Sequence, residues 1–359
     1  MLFLGQREIQ SQEYHRNSVI LPRAPLIPVN GVTPLQFRGW RLAIAMARTI
    51  ASRHLDRIEY YSDIFSAYLG LLNIVHPNVP NIRLSSNRLD MLRDFSRTSR
   101  IGELGQAIVW LYLMENNYPF INDFRFFCHH NNIAIPPNSS TPDFIAQTAA
   151  ISIDICLVEA KGKETLATTS IKSKLRKGLQ QCDAGELLLA GSAFNVQKKL
   201  AFCTEFSDEN NGLDSTLSYS DPKLNANSKV RNDLPMRLHY ASWFYIIGDF
   251  KNVNNLVKGE KINLNEKMYN REHFNNTTYW TISPYNSFLL ENLSSINRDN
   301  GVFSFFPIFL TETKMKLAIS EGVISRLQKL DDSILFNFGN ESSESQELFS
   351  DGTAIFKSR

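Results

Sequence analysis

Residues 151–162, with the sequence ISIDICLVEAKG, alternate between two kinds of side chain in the manner of a β-strand. Four aliphatic residues, from Ile151 to Leu157, share one face of this strand, and Glu159 and Lys161 continue the same face. Two charges on a core face are costly unless they are paired, bound to a metal ion or placed at the mouth of a cleft. The end of this strand is therefore a candidate functional site.

The segments around this strand predict a helix, three strands, a second helix and a further strand, in that order. They are residues 96–117 for the first helix, 120–130, 141–148 and 150–162 for the three strands, 170–190 for the second helix and 198–206 for the last strand. Short loops between the three strands permit antiparallel hairpins, and the strand–helix–strand unit that follows indicates a parallel crossover. The prediction is an α/β sandwich with the order αβββαβ over residues 98–206.

The flanking regions have different patterns. Residues 1–97 predict a mostly helical segment, since prolines interrupt the first 32 residues and apolar residues then recur at helical spacing as far as residue 72. Residues 207–233 are polar and rich in turn formers, which predicts a linker or long loop. Residues 234–340 predict a C-terminal α/β accessory region, and residues 341–359 an acidic tail that we expect to be mobile.

The composition is that of an ordinary soluble globular protein, with 43% hydrophobic residues and a formal net charge of +2. A long apolar run and a basic leader are both missing from the sequence, so we expect neither a membrane span nor a secretory signal. Four cysteines stand far apart without a CxxC pair, which favours reduced thiols in a cytoplasmic protein. The small net charge neither demands nor excludes a nucleic-acid partner.

Three carboxylates are expected to meet at the end of the strand. Asp143 begins one strand and Glu159 ends the next, so a hairpin would bring both side chains close to Lys161. Glu103, in the preceding helix, could reach the same corner. Converging carboxylates repel one another without a cation, which favours a hard divalent metal ion. A lysine beside such an ion could orient or deprotonate a water molecule, while the metal polarises a phosphate.

The motifs PDF at 142–144 and VEAKG at 158–162, on consecutive strands after a Glu-bearing helix, resemble the PD-(D/E)xK nuclease superfamily. Restriction endonucleases and RecB-type nuclease domains belong to this group. The resemblance implies a restriction-endonuclease-like core in which Asp143 and Glu159 bind Mg²⁺, with Mn²⁺ as an alternative ion, and Lys161 positions the nucleophilic water.

The same resemblance implies supporting roles on the two helices. Glu103 would support the metal site, and Gln180 or Gln181 would touch the site from the second helix. The implied activity is hydrolysis of phosphodiester bonds in DNA, less often in RNA, and restriction or anti-phage defence would suit such an enzyme. A homodimer, or a partner protein of a defence system, would fit the same context.

A cluster of basic residues follows the motif and could follow the phosphates of a nucleic acid. It consists of Lys163, Lys172, Lys174, Arg176 and Lys177. The alternative interpretation is a solvated helix face.

Two further patterns have a structural interpretation that we prefer. The CHH sequence at 128–130 lacks a second pair of zinc ligands, so a buried cysteine with surface histidines is expected. His239, Tyr240 and Trp243 could stack on a base, although aromatic residues at helical spacing are more often core.

Two other functions remain open at this point. One is a non-catalytic nucleic-acid-binding or scaffold protein on the same fold, and the other is a metal-dependent enzyme that acts on RNA or on nucleotides.

Overall fold

A computed structural model arranges the chain as a mixed α/β protein with two β-sheets and helices packed against them. The structure describes residues 5–16, 26–29, 31–57, 70, 73–77, 79–92, 94–148, 152–165, 167, 169–221, 233–264, 269–274, 277–282, 315–329, 341–342 and 346–357. The α/β class predicted from the sequence is confirmed. In the part of the chain described, none of the helices is both long and apolar enough to cross a membrane.

The first sheet is mixed and eight-stranded. Its strands are β1 (Gln6–Arg16), β2 (Leu26–Pro28), β3 (Thr33–Arg38), β4 (Phe120–Asp123), β5 (Phe144–Gln147), β6 (Asp154–Glu164), β7 (Asn195–Phe206) and β8 (Thr216–Ser220). They lie in the order β2-β1-β8-β7-β6-β5-β4, and β3 pairs with β1. Strands β4, β5 and β6 are antiparallel neighbours, while β6 and β7 run parallel, as the sequence predicted.

Helices pack on both faces of this sheet. The described helices are α1 (Gly39–Ala51), α2 (Ser86–Leu89), α3 (Asp94–Glu115), α4 (Phe124–His130), α5 (Ile171–Leu189), α6 (Leu234–Ile246), α7 (Phe250–Lys258) and α8 (Glu321–Lys329). Helix α3 contacts β6 at Gly162, whereas α5 contacts it at Glu159. Since odd and even residues of a strand point to opposite faces, the two helices enclose β6 from opposite sides.

A close approach between glycines determines where α3 lies. A Cβ atom on Gly162 would stand 2.1 Å from the Ile101 carbonyl oxygen, and one on Gly105 would stand 3.0 Å from the Gly162 backbone. Any larger side chain at Gly162 would push the helix off the strand. This contact places the next residue of α3, Gln106, beside the end of β6.

The second sheet is antiparallel and six-stranded. Its strands are β9 (Tyr269–Phe274), β10 (Thr277–Ile282), β11 (Met315–Ser320), β12 (Glu341–Ser342), β13 (Gln346–Leu348) and β14 (Thr353–Lys357), in the order β12-β13-β14-β11-β10-β9. The expectation of a mobile acidic tail is wrong for its described residues, because β12, β13 and β14 are part of this sheet. The reason is that Phe349 and residues 354–356 are buried, and Asp351 between them is bound in the core.

The N-terminal segment is less helical than predicted. Residues 6–16, 26–28 and 33–38 form strands, and helix α1 follows, while residues 58–69 and 71–72 lie outside the described residues. Local hydrophobicity does not reveal β1 because its buried positions include Arg7 and Ser11. The two Nη atoms of Arg7 and the hydroxyl group of Ser11 donate to distant carbonyl groups, and this compensation cannot be seen in the local sequence.

Two further boundaries differ from the prediction. Part of the expected linker is strand β8, between β7 and β1, although residues 222–232 lie outside the described residues. The expected strand over 120–130 ends at Asp123, whose Oδ1 atom accepts a hydrogen bond of 2.8 Å from the Phe126 N–H group. This N-cap begins helix α4 and ends the strand.

The structural interpretations of the cysteines and aromatic residues are confirmed. All four cysteines are buried and unpaired, so the CHH sequence contributes a core thiol. His239, Tyr240 and Trp243 are buried in the core on α6.

Candidate active site

Asp143 and Glu159 are brought together by the β5–β6 hairpin. Phe144 pairs with Val158 in the ladder, and the Asp143 N–H group donates to the Val158 carbonyl oxygen at 3.0 Å. Asp143 therefore lies across from Glu159. The alternation of β6 then places Lys161 on the same face as Glu159.

Two hydrogen bonds hold the Asp143 carboxylate. Its Oδ1 atom accepts from Gln106 Nε2 at 2.7 Å, and its Oδ2 atom accepts from the Ala160 N–H group at 2.9 Å. Burial raises the pKa of the Asp143 carboxyl group, whereas the Ala160 hydrogen bond and the Lys161 charge lower it. Asp143 is thus a half-buried carboxyl group with a hydrogen-bond donor on each oxygen.

Glu159 is the more deeply buried member of the pair, with 1% of its side chain exposed. Its Oε1 atom accepts a hydrogen bond from Lys161 Nζ, while its Oε2 atom is buried without a hydrogen-bond partner. Burial, and then the negative charge of Asp143, raise the pKa of Glu159 to about 8, although Lys161 opposes both. The two carboxylates need a proton or a cation between them.

This donor set fits a divalent cation. Mg²⁺ is commonly held by one or two carboxylates and keeps several waters, so Asp143 and Glu159 suffice as protein ligands. The unpartnered Oε2 atom of Glu159 is the feature that such an ion would satisfy. Lys161, with 24% of its side chain exposed, lies between the buried pair and solvent.

Glu103 does not join the pair, which corrects the expectation of three converging carboxylates. Its carboxylate forms an ion pair of 2.9 Å with Arg100, one turn earlier on α3. Within the described ranges, no group of three or more His, Cys, Asp or Glu residues is placed to hold a metal ion. The helical repeat of α3 instead presents Gln106 to Asp143.

The two glutamines of α5 have different positions. Gln181 donates from Nε2 to the Thr141 carbonyl oxygen at 3.1 Å, so it contacts the segment that leads into Asp143. Gln180 is exposed. A supporting role at the site is therefore open to Gln181, and the structure provides no contact of Gln180 with the carboxylates.

The predicted phosphate-binding residues also divide into two groups. Lys163 is buried and its ammonium group is paired with Glu205, so it is unavailable to a nucleic acid in this conformation. This corrects the prediction for Lys163. The other members lie on the first half of α5, where two are exposed and two are half-buried: Lys172, Lys177, Lys174 and Arg176.

Three residues near the site were missed by the sequence reasoning. Asp123 forms an ion pair with Arg53, Arg53 donates a hydrogen bond to Gln106, and Gln106 donates one to Asp143. Gln106 lies three residues after Glu103 and so shares a face of the helix with it, which could have indicated that Gln106 also reaches the site. Arg53 and Asp123 belong to distant segments, and nothing in the local sequence indicates them.

Comparison with known proteins found no protein-family model that matches the chain, and no similar curated protein or solved structure. Any assignment of function therefore depends on the chemistry of the site.

The pKa of Glu159 predicts a pH dependence for the metal-free protein. Folded Glu159 keeps its proton up to about pH 8, whereas an unfolded glutamate loses it near pH 4.5. The folded state binds more protons in this range, so the free energy of unfolding should fall as pH rises. His239, whose pKa is lowered to about 4, acts in the opposite direction only below its unfolded value of 6.5.

We expect Glu159→Gln to flatten this dependence between pH 6.5 and 8 by about 1 kcal/mol per pH unit, because the amide has no proton to lose. Urea unfolding in EDTA at several pH values measures the slope. Glu186→Gln, a change at a surface glutamate paired with Lys199, is the control and should keep the wild-type slope. Equal slopes for wild type and Glu159→Gln would contradict the prediction.

Proposed function

We propose that the protein is a metal-dependent nuclease of the PD-(D/E)xK type that hydrolyses phosphodiester bonds in DNA. The observation that supports this most directly is the pairing of Asp143 with Glu159 on neighbouring strands, with Lys161 bound to Glu159. Apart from the short helix α4 between β4 and β5, the order of helix, three antiparallel strands, helix and parallel strand fits a restriction-endonuclease-like core.

In this proposal, Asp143 and Glu159 hold Mg²⁺, or Mn²⁺ in its place. The bound ion would polarise the scissile phosphate and offset the charge that develops during hydrolysis. Lys161 holds the attacking water at the edge of the site, because its ammonium group is anchored by Glu159 and remains partly exposed. Ion binding at pH 7 displaces the proton that Glu159 otherwise keeps.

The first half of α5 is the proposed contact for the nucleic-acid backbone. Lys172 and Lys177 are exposed there, on the helix that packs directly over Glu159. Such contacts provide affinity that is independent of sequence and falls with salt. DNA is the proposed substrate, RNA is the alternative, and restriction or anti-phage defence is the proposed context.

The test is an incubation of the purified protein with supercoiled plasmid, linear duplex DNA, single-stranded DNA and RNA, each with Mg²⁺, Mn²⁺ or EDTA. We expect cleavage of DNA with either metal and none in EDTA. Equal binding with and without metal, and no cleavage, would instead indicate a non-catalytic nucleic-acid-binding or scaffold protein. Cleavage of RNA alone would indicate the RNA-directed alternative.

A further inference from the structure

We propose that Gln106 and Arg53 are positioning residues for the metal-binding carboxylate of Asp143, with Asp123 as the anchor of Arg53. This inference rests on the proposed function, since it concerns the same metal site. It extends the site beyond the predicted nuclease core, because Arg53 follows helix α1 in the N-terminal segment.

The contacts form one continuous chain. Arg53 Nε lies 3.5 Å from Asp123 Oδ2, and Arg53 Nη2 donates to Gln106 Oε1. Gln106 Nε2 then donates to Asp143 Oδ1 at 2.7 Å. Arg53 follows α1 and Gln106 lies on α3, whereas Asp123 ends strand β4 and Asp143 immediately precedes strand β5.

Arg53 determines which way the Gln106 amide faces. A guanidinium group has five N–H donors and no acceptor, so the amide atom beside it must be the oxygen. The NH₂ group of Gln106 is then necessarily turned towards Asp143, where it meets an acceptor. Without Arg53 the amide could rotate and present its oxygen to the carboxylate, which would repel it.

Asp123 keeps the guanidinium group in place. Its Oδ1 atom caps helix α4 through the Phe126 N–H group, which leaves Oδ2 for Arg53. The carboxylate cannot turn away without uncapping that helix. Asp123 is therefore a fixed counter-ion for a side chain that is itself 28% exposed.

The result is an Asp143 carboxylate whose plane is set by a donor on each oxygen. Gln106 occupies one site on Oδ1, and the Ala160 N–H group occupies one on Oδ2. Each carboxylate oxygen accepts about two hydrogen bonds or ligands, so one position on each remains for a metal ion. Loss of residues that orient a ligand typically weakens metal binding about 10-fold to 100-fold.

The experiment measures Mn²⁺ affinity by calorimetry and the Mg²⁺ concentration that gives half-maximal cleavage. Gln106→Met and Arg53→Met should each weaken Mn²⁺ binding about 10-fold or more and raise the Mg²⁺ requirement in parallel, with the KM for DNA unchanged. Arg53→Lys keeps a donor for the Gln106 oxygen and should recover part of the affinity. Because Arg53 is partly exposed, its variants test the proposal even if Gln106→Met does not fold.

Matched controls separate positioning from general loss of a polar side chain. Gln147→Met removes a buried glutamine whose Nε2 donates to the Ser152 carbonyl oxygen at 2.6 Å, at the far end of β5. Arg83→Met breaks a 3.1 Å ion pair with Asp214. Both controls should bind Mn²⁺ as the wild type does.

Each outcome decides between the two proposals. Wild-type Mn²⁺ affinity in the folded Arg53 variants would overturn the positioning role. A wild-type protein that binds Mn²⁺ but cleaves no nucleic acid would overturn only the proposed nuclease function, and weakened variants would still support the positioning role. A wild-type protein that binds no Mn²⁺ would overturn both.

Discussion

Asp143→Asn should reduce Mg²⁺-dependent DNA cleavage about 1000-fold while the protein stays folded. The change removes the negative charge from the carboxylate that Gln106 and the Ala160 N–H group orient. A catalytic metal ion stabilises the transition state by several kcal/mol, which corresponds to about three powers of ten in rate. Initial rates on linear duplex DNA, at matched protein and metal concentrations, measure the loss.

Stability separates a loss of chemistry from a loss of structure in this experiment. Asp143→Asn turns one acceptor oxygen into an NH₂ donor, so it loses one of the two hydrogen bonds that come from Gln106 and Ala160. This loss should lower the free energy of unfolding by only about 1–3 kcal/mol. Asp154→Asn is the control, because Asp154 lies at the other end of this hairpin and accepts from Asn195 Nδ2 at 2.7 Å. Full cleavage by Asp143→Asn, or by Lys161→Ala, would show that the site is assigned to the wrong residues.

Asp351→Ala should lower the free energy of unfolding by about 3–5 kcal/mol, because it leaves a buried guanidinium group without its counter-ion. Arg48 and Asp351 are both fully buried, with Arg48 Nη1 and Asp351 Oδ2 2.8 Å apart. His239 Nε2 lies 2.8 Å from the same carboxylate oxygen. Urea unfolding followed by circular dichroism at pH 7 measures the change.

The protonation of His239 explains why this cluster depends on Asp351. Burial and the charge of Arg48 lower the pKa of His239 to about 4, so the ring is neutral at pH 7. Its Nδ1 atom accepts from the Ile121 N–H group at 3.0 Å, and its Nε2 atom lies 2.8 Å from Asp351 Oδ2 and 2.7 Å from Arg48 Nη2. The imidazole thus covers the outer edge of β4 and connects it to the second sheet.

The control for this prediction is Asp183→Ala. Asp183 is exposed and pairs with Lys199 at 2.8 Å, and exposed ion pairs of this kind contribute about 0–1 kcal/mol. If Asp351→Ala were as mild as Asp183→Ala, the cluster around Arg48 would not hold the two sheets together. The second sheet would then be able to loosen without loss of the first.

Local patterns were sufficient for the core of the candidate site. Alternation along β6 indicated that Glu159 and Lys161 share a face, and the short loop before β6 indicated that Asp143 lies across from them. Both inferences depend only on the two-residue repeat of a strand and on hairpin geometry. The structure reproduces this arrangement, whereas its catalytic role stays a prediction.

The contacts around that core could not be predicted in the same way. The choice between Glu103 and Gln106 depends on how α3 rotates against β6, and the Gly105–Gly162 approach decides this. Arg53 reaches the site across 53 positions of sequence separation from Gln106. The periodicity of a single segment cannot predict the angle at which a helix packs on a strand. It also cannot predict which distant residue a long side chain will contact.

The sequence by itself determined the α/β class, the order of the strands around the motif and the hairpin that joins Asp143 to Glu159, because each follows from periodicity within one or two adjacent segments. It did not determine helix α4, which the cap at Asp123 begins. Only the tertiary structure decided that β1 and β8 extend the sheet, that the acidic C-terminal segment enters the core through Asp351, and that Lys163 is neutralised by Glu205. These features depend on pairing between distant segments. A charged side chain that would stay hydrated in a solvated chain can be buried at these places because the fold supplies its partner.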